Sequence, residues 1–262
     1  MKELIVSLVL ILLMSSCKET KEIQVVKNLG QYDYDIKSFS NPEGEIQYYT
    51  KYGIFWCFEN ENTIEIKHGD FQITDLPMVF LEIPDTINNK PVTIIGKAAF
   101  WEFEIKTLKL PRYLEIIDDS AFYGCRIKEI VFNETLKEIG REAFVNCDVV
   151  NLVVSDSVVT IKGGAFFANS IEHCVIGKNI KEINKNLFAV GQLKDVVLPE
   201  QLEIIDEYAF WTNNLEKIAI PNSVRRINNG AFSENPITEI IIGNDVEIHE
   251  DAFNCGFYFS EL

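Results

Sequence analysis

Six cysteines and three histidines are the residues of this chain best suited to nucleophilic, redox or metal chemistry, so their spacing is read first. Cys17, Cys57, Cys125, Cys147, Cys174 and Cys255 contain no Cys-x-x-Cys pair, which disfavours a zinc clip or a dithiol redox centre. His68, His173 and His249 stand in unrelated contexts, and the sequence has no His-Glu-x-x-His, no Gly-x-Ser-x-Gly and no glycine-rich phosphate loop. Asp118-Asp119 and His249-Glu250-Asp251 both precede an Ala-Phe pair, a place for solvated turn residues. The expectation is a chain with no catalytic residue, no metal and no cofactor, hence not an enzyme.

One regularity among these residues is informative: Cys125 and Cys147 lie 22 residues apart, each three after a Phe. Asn169, Asn213 and Asn235 occupy the same slot elsewhere. Two readings stand at this level. Asn and Cys exchange at a turn position whose side chain satisfies buried backbone groups, or Cys125 and Cys147 form a disulfide between adjacent rungs, about 4.8–5.5 Å apart, in an oxidising exterior.

The elements that position these residues are repeats. Ala-Phe recurs with Phe at 100, 122, 144, 166, 210, 232 and 253, Leu187-Phe188 fills the gap, and the spacing is 22 throughout except for a final 21. An Ile stands five residues before each Phe, from Ile95 to Ile248. Within a unit such as Ile127-Lys128-Glu129-Ile130-Val131-Phe132-Asn133, positions 130 and 132 alternate with an outward residue, as on a strand. Pro or a small polar residue then ends it: Pro111, Asn133, Ser155, Gly177, Pro199, Pro221, Gly243. A 22-residue unit cannot bury its apolar face alone, so neighbours must stack. The fold class predicted is a β-rich repeat solenoid with a parallel strand ladder and short non-strand turns. About eight repeats span 81–255, following a β-rich cap over 31–80 and preceding a tail over 256–262.

Charge and address narrow the setting. With 40 acidic and 24 basic residues the chain carries −16, which argues against nucleic acid and anionic membrane surfaces as partners. With 47% of residues apolar, a folded core is expected. The N-terminus, MKELIVSLVLILLMSSC, has Lys2 followed by an apolar run from Leu4 to Met14, too short to span a bilayer and shaped like an export signal. Met14-Ser15-Ser16-Cys17 resembles the bacterial lipobox, which implies cleavage after residue 16 and lipid attachment at Cys17. Residues 17–30 read as a tether, and the acidic stretch after Cys17 resembles surface-export signals of some Gram-negative bacteria. The expected location is the outer membrane, at the cell surface.

The segments IPDTINNKPVTIIGKAAF (83–100) and IKEIVFNETLKEIGREAFVNC (127–147) resemble the BspA-type leucine-rich repeat, with Pro after the strand, Ile-Gly, Ala-Phe and a terminal Cys. The resemblance implies a right-handed leucine-rich-repeat-like stack. It also implies a surface protein that binds host or bacterial partners.

Two outward rows are the candidate binding surfaces. Lys109, Val131, Val153, Val175, Val197, Ala219 and Ile241 lie between inward strand positions, so six successive rungs present an apolar side chain outward. Glu129, Asn151, His173, Asp195, Lys217 and Glu239 form the adjoining rim. Such a stripe marks an interaction site, unless β-branched residues merely suit strands or the N-terminal segment covers them. The second row follows the Phe: Trp101, Tyr123, Val145, Phe167, Ala189 and Trp211, where aromatics either anchor a partner or close the core edge. The expectation is a lipid-tethered adhesion module, monomeric when soluble, for a protein or glycan ligand. The alternative is a structural subunit of an outer-membrane complex.

Overall fold

The structure, a computed structural model, describes residues 36–40, 45–50, 53–70 and 80–254. The signal segment, Cys17, the tether, Cys255 and the tail lie outside the described residues. A β-solenoid fills 80–254, and among the described residues there is no helix.

Each repeat contributes to three hydrogen-bonded stacks, and the strand read from the sequence builds the first. It comprises β5 (Phe80–Glu82), β8 (Thr107–Lys109), β11 (Asn151–Val153), β13 (His173–Val175), β15 (Asp195–Val197), β17 (Lys217–Ala219) and β19 (Glu239–Ile241). β11, β13 and β15 pair in parallel at a register of one repeat, as in Leu152 to Cys174 to Val196, and so do β17 and β19, while β5 pairs in parallel with β8. Glu129 fills the rung between β8 and β11 through single bridges to Thr107 and Asn151.

The second stack was not read as a strand. It contains β7 (Lys90–Ile95), β9 (Ile116–Ile117), β10 (Glu138–Ile139), β12 (Thr160–Ile161), β14 (Glu182–Ile183), β16 (Ile204–Ile205), β18 (Arg226–Ile227) and β20 (Glu247–Ile248). The Ile five before each Phe is its inward residue, pairing Ile95 to Ile117 to Ile139 to Ile161 and again Ile183 to Ile205 to Ile227 to Ile248. Between these two runs Asn184 takes the ladder carbonyl with its side chain, Nδ2 donating to Ile161 O at 2.7 Å. At the N-terminal end β6 (Thr86–Ile87) pairs antiparallel with β7. The antiparallel strands β1 (Ile36–Ser40), β2 (Ile46–Thr50), β3 (Gly53–Glu59) and β4 (Ile64–Asp70) then continue this second stack, β4 lying parallel to β7. The small β cap therefore covers the end of the core and extends one side of it.

The third stack is made of turns. The Phe N–H donates to the carbonyl before the next Phe: Phe100 to Ala121, Phe122 to Ala143 and Phe144 to Ala165, each at 2.8 Å, and so on to Phe232 on Ala252 at 2.7 Å. To aim these groups along the axis the backbone turns left-handed twice per repeat, two residues before the Phe and two after. Ala98, Ser120, Glu142, Gly164, Asn186, Tyr208 and Gly230 occupy the first position. Glu102, Gly124, Asn146, Ala168, Val190, Thr212 and Glu234 occupy the second. For a residue with a Cβ such a φ costs about 1–2 kcal/mol. The turn-to-turn hydrogen bonds offset that cost, since buried backbone groups left unpaired would cost at least as much.

Inside, the Phe rings form one continuous stack from Phe100 to Phe253, with neighbouring centroids 5.0–5.8 Å apart and near-parallel planes. Ala (or Leu187) and Ile pack around them, fully buried. Each ring contributes burial plus stacking, about 0.5–1.5 kcal/mol beyond area for a good pair. In the last described rung Ile240 and Ile248, in slots that are buried in earlier rungs, become exposed, since no described rung packs beyond them.

Candidate functional site

The first stack places the apolar stripe. Its three-residue strands bury the central residue and turn both flanks outward, so Leu152, Cys174 and Ile218 enter the core while Val153, Val175 and Ala219 face away. Val131 is 82% exposed, Val153 62%, Val175 43%, Val197 56% and Ile241 62%. No described segment covers them, because the N-terminal strands extend the second stack. The stripe begins beside Lys109, which is bound to Glu82.

The rim is partly tied up in rung-to-rung pairs. Polar groups pair with their neighbours one rung away: His173 Nδ1 lies 2.6 Å from Asp195 Oδ2, and ion pairs join Lys217 Nζ to Glu239 Oε2 at 2.6 Å and Lys194 Nζ to Glu172 Oε2 at 2.8 Å. The hydrogen bond and charge of Lys194 hold the Glu172 carboxyl below its ordinary pKa, and those of Glu239 raise Lys217. Each such exposed pair adds little to stability. Their effect here is to tie neighbouring rungs together beside an apolar row.

The aromatic row is broken. Trp101 and Tyr123 stack at 4.3 Å with Trp101 44% exposed, but Val145 and Ala189 are buried and Phe167 is half-buried. Trp211, 36% exposed, meets Tyr208 edge-on at 6.1 Å. The row therefore gives two separate aromatic spots rather than a platform.

The disulfide reading of Cys125 and Cys147 is corrected by the structure: both are free thiols in the core. Each reaches back to the previous rung, Cys125 Sγ donating to Phe100 O at 2.8 Å and Cys147 Sγ to Phe122 O at 2.9 Å. The Asn residues of the same slot do likewise, Asn169 Nδ2 donating to Phe144 O at 2.7 Å while its Oδ1 accepts from the N–H of Cys147 and Val149. Thiol and amide perform one task, closing a buried carbonyl that the turn leaves open. Burial pushes the Cys147 thiol up to about 12 and raises Cys125 and Cys174 as well, so none is a thiolate at neutral pH. Cys174 is buried in its strand slot.

The remaining chemical groups serve the turns. Asp119 Oδ1 accepts from Arg141 N at 2.7 Å, Asp118 Oδ1 from Asp119 N, and His249 Nδ1 from Asp251 N. His68 lies against Trp56 and 3.5 Å from Glu45. Among the described residues no three His, Cys, Asp or Glu converge as a metal site. The sequence did not reveal the shallow concavities. They lie at the corner between the two strand stacks, one of about 600 Å³ and one of about 410 Å³, and both are lined by Lys181 and Gln201.

Parallel ladders of one-repeat register around a stacked Phe core define a leucine-rich-repeat-type solenoid. The chain belongs to the family of the BspA type leucine rich repeat region, whose model matches residues 93–213 and 181–258 in six copies. A solved leucine rich cell surface protein from Faecalibacterium prausnitzii is similar at 25% identity and a TM-score of 0.64, over 75% of this chain and 54% of that one. The chain thus spans about half the length of that protein. The T. pallidum leucine rich repeat protein aligns at 22% identity and TM-score 0.47, over 56% of this chain and 80% of its own. A leucine-rich repeat protein from Bacteroides ovatus aligns at 19% and 0.45, over 76% and 66%. No curated protein matches the chain.

Proposed function

We propose that this protein is a non-enzymatic binding module, held at the outer face of the outer membrane by lipid on Cys17, that docks a partner protein against the apolar stripe of the first stack. The observation that carries the reading is the row Val131, Val153, Val175, Val197, Ala219 and Ile241, exposed on six successive rungs beside a polar rim. An unbroken apolar row suits the apolar face of a protein better than nucleic acid or a charged surface. The family and the cell-surface description of the Faecalibacterium protein support the setting. Between rungs spaced about 4.8 Å the stripe runs roughly 24 Å, enough for a docking row with Trp101, Tyr123 and Trp211 as separate anchors at the turn edge.

The test uses the full chain with Val153→Asp and Val175→Asp together. Intact cells displaying the native chain should retain extracellular-matrix protein and lose retention in the double variant. Equal retention by both contradicts the stripe. Gel filtration of the detergent-solubilised chain checks the other class of function. A monomer fits a binding module, and an obligate complex that disperses when the stripe is charged indicates a structural subunit. Complete protection from added protease on whole cells would contradict the outer-face location.

A further inference from the structure

The corner between the two strand stacks carries a second, chemically different surface. Its two shallow concavities adjoin at Lys181 and Gln201 and together touch five successive rungs. The positions just after the strand-ending Pro or Gly line it, and their chemistry changes along the solenoid.

In the N-terminal rungs these slots are spent on the protein itself. Arg112 donates to Asp85 from both its Nε and its backbone N, Thr135 Oγ1 donates to Leu114 O, Asp156 holds Lys178 by Nζ and backbone N, and Asn179 Nδ2 donates to Asp156 O. In the C-terminal rungs Ser223 Oγ still donates to Leu202 O at 2.7 Å, but the amide-bearing slots beside it are not spent in this way. The amides of Gln201, Asn222 and Asn244, one from each of three successive rungs, have no hydrogen-bonding partner among the described residues, and the guanidinium of Arg225 beside them has no ionic partner. Asn222 and Asn244 hold the same slot on rungs about 4.8 Å apart and Gln201 stands one slot further along on the rung before, so the groove presents three amides, each with two donors and an acceptor oxygen, next to a five-donor fork. Carboxylates at Glu203 and Asp245 add acceptors to the same groove.

We infer that this groove is a binding site for an uncharged polysaccharide. Neighbouring sugar hydroxyls each donate and accept, the demand that side-chain amides, a guanidinium and carboxylates meet together, and they replace ordered water at little cost. An acidic polymer meets Glu200, Glu203 and Asp245 in the groove and a chain of −16 around it. A peptide would want apolar pockets, and the groove offers one exposed apolar residue, Val159, while the continuous apolar row lies on the first stack. The site is independent of the stripe, which allows the module to hold a protein and a glycan at once.

Affinity electrophoresis of the full chain in native gels containing dextran, mannan or xylan tests this, with alginate as the acidic comparison. At least one neutral polymer should retard the native chain, and Gln201→Ala with Asn222→Ala should weaken that binding about tenfold or more. Both residues are solvent-facing and uncommitted, so an unchanged Tm is expected and confirms that the variant folds. Val153→Asp with Val175→Asp should leave the retardation intact, which separates this site from the stripe. Retardation by none of the neutral polymers, by alginate alone, or equally in the amide variant overturns the inference.

Discussion

The two strand stacks share one core and one repeat yet differ in the chemistry they turn outward. The first shows Val, Ala and Ile between paired rim charges. The second shows mostly polar groups, with charges that pair along the axis (Lys137 with Glu115, Lys162 with Glu138, Lys181 with Glu203) and with exposed Val159 and half-buried Ile94, Ile116 and Ile204 scattered among them. Both stacks bury their inward residues equally well, Ile117 and Ile139 as completely as Leu152 and Cys174. The fold therefore does not require an apolar exterior. A solenoid whose second stack is stable with a mostly polar exterior does not need an unbroken row of six exposed apolar residues on the first, and that contrast is the strongest support for a docking role.

The largest effect should come from the part that both stacks share. Phe144→Ala removes one ring from the stack between Phe122 and Phe166 and should cost about 3–5 kcal/mol, read as a lowered midpoint in urea. Because neighbours depend on each other, the loss should appear at both stacks together in hydrogen exchange. Asn213→Ala comes next. It leaves Phe188 O without the Asn213 Nδ2 donor and Leu193 N without its acceptor, and should cost about 2–3 kcal/mol by the same measurement. A gain is expected at Val190, a β-branched residue held at φ 58, where Val190→Gly should stabilise by about 0.5–1 kcal/mol in thermal unfolding.

These three positions also show what the sequence made legible. The Phe register, the inward strand residues and the shared role of Asn and Cys were visible because each recurs every 22 residues with an unmistakable side-chain type. The second stack was hidden because a two-residue strand has no alternation to read; only its inward Ile repeats. The left-handed positions were hidden because Ala, Glu, Tyr, Val and Thr hold them as readily as Gly124, Gly164 and Gly230, the turn-to-turn bonds overriding local preference. The corner groove could not be foreseen, since it depends on which polar slots find partners across rungs. The disulfide reading failed because rung spacing permits a bond but does not aim the thiols, and both point at carbonyls.

The smallest effects lie on the surface and in the thiols. Val153→Asp with Val175→Asp should change unfolding free energy by no more than about 0.5 kcal/mol, because exposed positions away from the core seldom matter. Cys125, Cys147 and Cys174, their thiols raised by burial, should resist a thiol reagent at pH 8 in the native chain and react only in denaturant.

The central claim, that the two exteriors differ because one of them docks a protein, is tested most directly by site-specific photo-crosslinking on intact cells supplied with matrix protein. A photoreactive residue is placed at 153 on the first stack and, in a second chain, at Glu182 on the second. The account predicts discrete protein adducts from 153 and none from 182. Adducts of equal yield from both positions, or from 182 alone, would contradict it.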